Sequence, residues 1–231
     1  MRCAIMQPTY LPWVGYFNLI SQVDIFVFLD DVQFERRSWQ SRNRILLDAQ
    51  EHWLTVPVHS ERQTQRLDTI QIDFTHKWQR KHVLGLKHAY QKASCFEEIA
   101  MVLEFLQQAN GISLANLNIN LIQMIAQALN LNTKFIVASA LNLPDTRSQH
   151  LLNICEALDC QEYLSPIGSQ AYLIEDGIFQ ESSIQLSFQN YIPQPYPQVK
   201  SSIFKSHLSI LDLIANIGIQ KTAQQVISSV S

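Results

Sequence analysis

The chain has 231 residues, of which 47% are hydrophobic and 16% charged, with a formal net charge of −3. That balance supports a sizeable core and excludes a disordered chain. The lack of a basic excess excludes nucleic-acid binding through a global positive field. No apolar run approaches the roughly 20 residues that a membrane-spanning helix needs. The first residues read as a strand and not as a signal peptide, so a cytoplasmic protein is expected. Cys3, Cys95, Cys155 and Cys160 have no CxxC spacing and are expected as reduced, partly buried thiols.

In chain order, Arg2–Met6 and Asp24–Leu29 are continuously apolar, the pattern of strands buried on both faces. Between them Trp13–Gln22 has room for about three helical turns, with Pro12 at a position that favours helix initiation. Trp53–Val58 reads as a strand whose Pro57 implies an edge or an end, and Ile70–Phe74 alternates like a half-exposed strand. Three helical stripes follow: Trp78 to Tyr90, Phe96 to Leu106, and Leu114 to Leu129 behind a Ser113 cap. Lys134–Ala138 reads as a strand ending at Ser139, Thr146–Leu158 as a helix, Tyr163-Leu164 as a short strand and Ile184–Phe188 as an edge strand. Ser209–Ile217 is a helix stopped by Gly218, with a weaker tail helix behind it. Alternating strands and helices predict an α/β fold, a mixed or parallel sheet with helices on both faces. Residues 1–231 are read as one domain, in which the helical segment of about 76–130 forms an insertion or cap.

The candidate chemistry sits at the carboxyl ends of the predicted strands, where open α/β sheets bind ligands. Gln7, Trp13, Gly15 and Tyr16 flank the first strand-to-helix junction, whose backbone amides suit an anion. Asp30 and Asp31 end the second strand and are candidates for a general base or a magnesium ligand. Adjacent strand residues point to opposite sides, so at most one of the two faces a crevice. Beyond them lie Gln33, Arg36, Arg37, Arg42, Asn43 and Arg44, with four of the nine arginines in nine positions. Guanidinium groups at that density suit phosphate or carboxylate, or form a solvated loop paired with the nearby acids. Tyr163, Gly168 and Tyr172 surround a second junction, which shares the crevice if its strand neighbours the first. Asp212 stands nearly opposite the apolar stripe of its helix and is expected outside the core. The seven histidines show no metal-ligand spacing.

Met6-Gln7-Pro8, Gly15-Tyr16-Phe17, Leu29-Asp30-Asp31-Val32-Gln33, Arg42-Asn43-Arg44-Ile45 and Trp53–Val58 together resemble the WbqC-like family, as do Tyr172-Leu173 and Leu208–Leu213. The likeness covers essentially the whole chain, and Thr9 departs from the aromatic residue commoner there. It implies a protein of surface-polysaccharide (O-antigen) biosynthesis, an acyl or aminoacyl (glycine) transferase acting on a sugar, with no settled catalytic residues to carry over. The layout of the first two strands also resembles the nucleotidyltransferase members of the HIGH superfamily, which implies a Rossmann-like fold. It makes ATP and magnesium candidate cofactors and a sugar-phosphate nucleotidyltransferase the rival activity. Gly15-Tyr16 stands where those enzymes carry Gly-His, and tyrosine supplies no imidazolium charge. On this view Asp30, Asp31 and Tyr16 are the candidate catalytic residues, and the ligand is a small molecule or a nucleotide-activated sugar. A third reading is a non-catalytic module that binds a glycan or a partner.

Overall fold

The computed structural model describes residues 1–59, 64–144 and 146–227. Five parallel strands form its sheet: β1 (Arg2–Met6), β2 (Ile25–Phe28), β7 (Lys134–Val137), β8 (Glu162–Ser165) and β9 (Gln185–Phe188). Their spatial order is β7-β2-β1-β8-β9. The fold is therefore α/β and Rossmann-like, with the chain turning back on itself between β1 and β8. The apolar strands divide their side chains by alternation. Ala4, Phe26, Phe28 and Leu164 enter one buried cluster, while Cys3, Ile5, Ile25, Val27 and Tyr163 enter the other.

Helices cover both faces. Buried residues of α1 (Val14–Ser21), α2 (Trp78–Tyr90), α3 (Ala100–Gln108), α4 (Leu114–Ala128) and α7 (Ile210–Ile217) share the larger cluster with Val226 of α8 (Ile219–Ile227). On the other face lie α5 (Arg147–Ala157) and Leu173 of α6 (Gln170–Asp176). Ser113 caps α4 by accepting from the Asn116 amide at 3.2 Å. The four thiols are free, and three of them are buried.

Two expectations are corrected. The predicted strand at Trp53–Val58 is the second half of a hairpin, with β3 (Arg42–Leu47) paired antiparallel to β4 (Gln50–Thr55). Val58 belongs to the short pair β5 (Val58–His59) and β6 (Gln71–Ile72), which is all that forms of the alternating segment Ile70–Phe74. Asp212 is fully buried rather than outside the core. Its carboxylate accepts from Tyr196 Oη at 2.6 Å and Gln198 Nε2 at 2.8 Å. The proline-rich crossing packs these donors over the helix face that the apolar stripe leaves polar. Burial pushes the Asp212 carboxyl up, and those two donors oppose the shift.

Two consequences for stability are testable. The hairpin loop Asp48-Ala49 has φ of 49° and 61°, a left-handed pair suited to Asn-Gly or Asp-Gly. Ala49→Gly should therefore raise the unfolding free energy by about 1 kcal/mol in urea titrations; a decrease would contradict the turn assignment. His82 is buried between the Tyr10 hydroxyl at 2.8 Å from Nδ1 and the Thr55 carbonyl at 3.1 Å from Nε2. Burial lowers the pKa of the ring to about 4 and favours its neutral form, in which Nε2–H donates to the carbonyl and Nδ1 accepts from Tyr10. Because the unfolded chain binds the proton more readily, this stabilisation is complete above pH 6.5 and disappears as pH falls towards 4. The shift from 6.5 corresponds to about 3 kcal/mol. The wild type should lose that much more than His82→Gln between pH 7 and 4, and equal losses would refute the linkage.

Candidate functional site

The chain leaves β1 and β8 towards opposite faces of the sheet, so a crevice opens above their carboxyl ends. Three adjoining cavities fill it. The first, of about 300 Å³, is lined by Trp13, Tyr16, Trp39, Asn43, Arg44 and His207. Met6, Thr9 and Trp39 also border the second, of about 260 Å³, which reaches Tyr163, Pro166 and Tyr172. Gln7, Leu29, Glu35, Leu151 and Tyr172 connect that to the third, of about 970 Å³, which Asp31, Gln33, Arg66 and His150 help to line.

The segment from Gln7 to Trp13 forms the floor, held by side chains from distant parts of the chain. Asn43 Nδ2 donates to the carbonyls of Tyr10 and Leu11 at 3.0 and 2.8 Å. Asn118 Nδ2 donates to the carbonyls of Pro8 and Gln40 at 3.0 and 2.7 Å. Gln40 Nε2 donates to Gln7 Oε1 at 2.7 Å, which leaves the Gln7 amide nitrogen as the donor end of that side chain. Tyr16 Oη donates to the Gln7 carbonyl at 3.0 Å. Burial pushes the Tyr16 phenol well above its usual range. Its proton is thus committed to positioning Gln7.

The first cavity is the aromatic end. Trp13 packs against His207 with ring centroids 4.5 Å apart and the planes tilted by 32°. A Cβ on Gly15 would stand 2.2 Å from the Trp13 ring, so glycine is what lets the indole lie over the start of α1. On β3, Arg42 and Arg44 alternate with the inward Asn43 and share the outer face. The Arg42 guanidinium lies 4.2 Å from the Trp53 ring centroid, and Trp53 and Trp39 are 5.3 Å apart. Arg44 pairs with Glu51 at 2.7 Å and reaches the His207 carbonyl at 3.3 Å. Burial and the nearby Arg44 charge lower the His207 pKa, favouring the neutral ring.

The third cavity is the polar end, and here the two aspartates separate. Asp30 accepts from the Ser139 amide at 2.9 Å and the Ser139 hydroxyl at 2.7 Å, tying β2 to the end of β7. Burial raises the Asp30 pKa, while the Ser139 bonds oppose that shift. Asp31 turns to the cavity and pairs with His150 Nε2 at 2.9 Å, both side chains being at least nine-tenths buried. The carboxylate accepts from Nε2–H, and in the neutral tautomer of the ring the lone pair lies on Nδ1. Neither His150 Nδ1 nor Asp31 Oδ1 has a partner among the described residues. His150 stands in the first turns of α5, 119 positions from its partner, and no sequence spacing marked it.

The crevice thus gathers Gln7, Trp13, Tyr16, Asp31, Gln33, Asn43, Arg44 and Tyr172. Gly15 stands under Trp13, and Arg42 backs Trp53. Arg36, Arg37 and Gly168 are exposed and line none of the three cavities, and Asp212 is part of the core. Two features oppose magnesium–ATP at the strand-one junction, although Asp31 keeps one carboxylate oxygen without a partner among the described residues. The Trp13 indole covers the start of α1 where phosphates would approach, and both Asp30 oxygens are engaged by Ser139.

The sequence matches the WbqC-like protein family over residues 7–224. It is 34% identical over 221 residues to a protein of Mycobacterium tuberculosis (strain ATCC 25618 / H37Rv) named Uncharacterized protein Rv1507c, covering 94% of each chain. No solved structure matches it. No helix among the described residues is long and apolar enough to cross a membrane. On the extent of these two matches, the chain belongs to the WbqC-like protein family.

Proposed function

We propose that this protein transfers an acyl or aminoacyl group from an activated donor to a sugar, in the assembly of a bacterial surface polysaccharide. The crevice is its active site, and His150 is its general base. The observation that carries this reading is the buried His150–Asp31 pair on the wall of the largest of the three cavities. Asp31 fixes the tautomer and stabilises the imidazolium that forms, the arrangement by which a carboxylate makes an imidazole an effective base. The donor is an acyl group on a good leaving group, a thioester or an acyl phosphate. The sugar nucleophile attacks the carbonyl carbon, its proton passes to Nδ1, and the bond to the leaving group breaks with its electron pair. The Gln7 amide nitrogen, oriented because Gln40 holds the oxygen, is the donor available to the developing oxyanion. Trp13 and Trp39 give the aromatic end broad apolar faces for a sugar ring or for the donor.

The rival nucleotidyltransferase reading draws on the strand order, which suits nucleotide binding at the switch point. Two features weigh against it: the indole over Gly15 and the carboxylates Asp31, Glu35, Glu175 and Asp176 around the largest cavity.

Mass spectrometry of reactions holding acetyl or glycyl thioesters with methyl glucoside or methyl glucosaminide tests the proposal. Acylated sugar should form, and His150→Gln should lower kcat by about 10²-fold or more, the range for loss of a general base. Formation of acylated sugar at an unchanged rate in His150→Gln, or no acylated sugar at all, would overturn it.

A further inference from the structure

Resting on the reading of the crevice as an acyl-transfer site, we infer that its aromatic cavity holds the acyl group of the donor, and that this group is an uncharged hydrocarbon or aryl group and not an aminoacyl group. The rings of Trp13, Tyr16, Trp39 and His207 surround the cavity, together with Met6 and Pro12. At about 300 Å³ it has the room of roughly ten water molecules, which suits a short hydrocarbon chain or a phenyl ring. It meets the second cavity at Met6, Thr9 and Trp39, and Gln7 lines that second cavity. An acyl group whose carbonyl faces the Gln7 amide nitrogen continues past Met6 and Thr9 into the aromatic cavity.

The polar groups on the same wall are already engaged within the protein. Tyr16 Oη donates to the Gln7 carbonyl at 3.0 Å. Asn43 Nδ2 serves the carbonyls of Tyr10 and Leu11, and Asn43 Oδ1 accepts from the Arg44 amide at 2.7 Å. The Arg44 guanidinium donates to Glu51 at 2.7 Å and to the His207 carbonyl at 3.3 Å. Among the described residues no carboxylate lines the cavity, and the charge on its wall is the Arg44 cation. An ammonium placed there sheds water, meets a like charge and finds no acid to pair with, each of which costs free energy. A hydrocarbon group gives up no hydrogen bond there and takes apolar surface out of water. The cavity therefore disfavours a glycyl group and favours a longer aliphatic or an aromatic one.

Ligand-observed NMR titration of the full chain with unreactive amides separates these classes. The probes are N-methylacetamide, N-methylhexanamide, N-methylbenzamide and glycine N-methylamide at neutral pH. The hexanoyl and benzoyl amides should bind at least about tenfold more tightly than the acetyl amide, because each buried methylene is worth about fourfold. The glycyl amide should bind most weakly. Trp39→Ala, at an exposed position, should erase most of the chain-length gain, and the wild-type series decides by itself if that variant does not fold. Equal affinity across the series, tightest binding of the glycyl amide, a gain unchanged in Trp39→Ala, or no saturable binding would overturn the inference. Graded binding with no transfer from the matching thioesters to methyl glucoside or methyl glucosaminide would refute the transferase reading and leave the preference of the cavity standing. Transfer from acetyl or glycyl thioesters without any chain-length gain would refute this inference alone.

Discussion

Three buried side-chain amides hold the floor of the crevice, and the rest of the architecture depends on them. The segment leaving β1 crosses the protein interior for seven residues before α1 begins, and its carbonyls need donors there. Asn43 and Asn118 supply them to Pro8, Tyr10 and Leu11, while Gln40 fixes the Gln7 side chain. These amides come from α4 and from Gln40 and Asn43, which stand three residues apart at the start of the hairpin, so one short stretch of backbone ties two distant parts of the chain together. Leu11 keeps a positive φ of 44° under those constraints. Buried polar networks of this kind specify one conformation, because losing one member strands the others; here Asn118 Oδ1 is the acceptor left without a partner among the described residues.

That rigid floor explains how the two ends of the crevice differ. At one end, glycine at position 15 lets an indole approach the helix start closely, and His207 packs against that indole. The result is a broad apolar wall in place of an anion cradle. At the other end, β2 delivers two aspartates in succession, and the sheet assigns them different tasks. Ser139 takes Asp30 into the structure, and Asp31 is left to His150. Gln7, which borders the second and third cavities, presents its amide nitrogen between the two ends.

Sheet and helices were legible where burial alone decides the pattern. The runs at Arg2–Met6, Ile25–Phe28 and Lys134–Val137 are apolar because both faces are covered, and the strand-end rule then pointed to Gln7 and to the acidic doublet. The hairpin at Arg42–Thr55 escaped because its turn is Asp48-Ala49, without the glycine that announces such a loop, and because its outer face carries arginines. The surroundings of Asp212 escaped because Tyr196 and Gln198 arrive from a proline-rich segment with no periodicity to read. The pairing of His150 with Asp31 and of Ser139 with Asp30 spans more than a hundred residues in each case. Only the folded sheet brings them together.

A crystal structure of the protein grown with a sugar acceptor and an unreactive analogue of an acyl thioester is the most direct test of the crevice as the working site. An acyl-transfer site there requires density along the carboxyl ends of β1 and β8, with the acceptor sugar beside the Asp31–His150 pair and the acyl carbonyl oxygen facing the Gln7 amide nitrogen. Density seated instead in the basic groove of about 480 Å³ beside Lys77, Arg80 and Lys87, with the crevice bare, would contradict it.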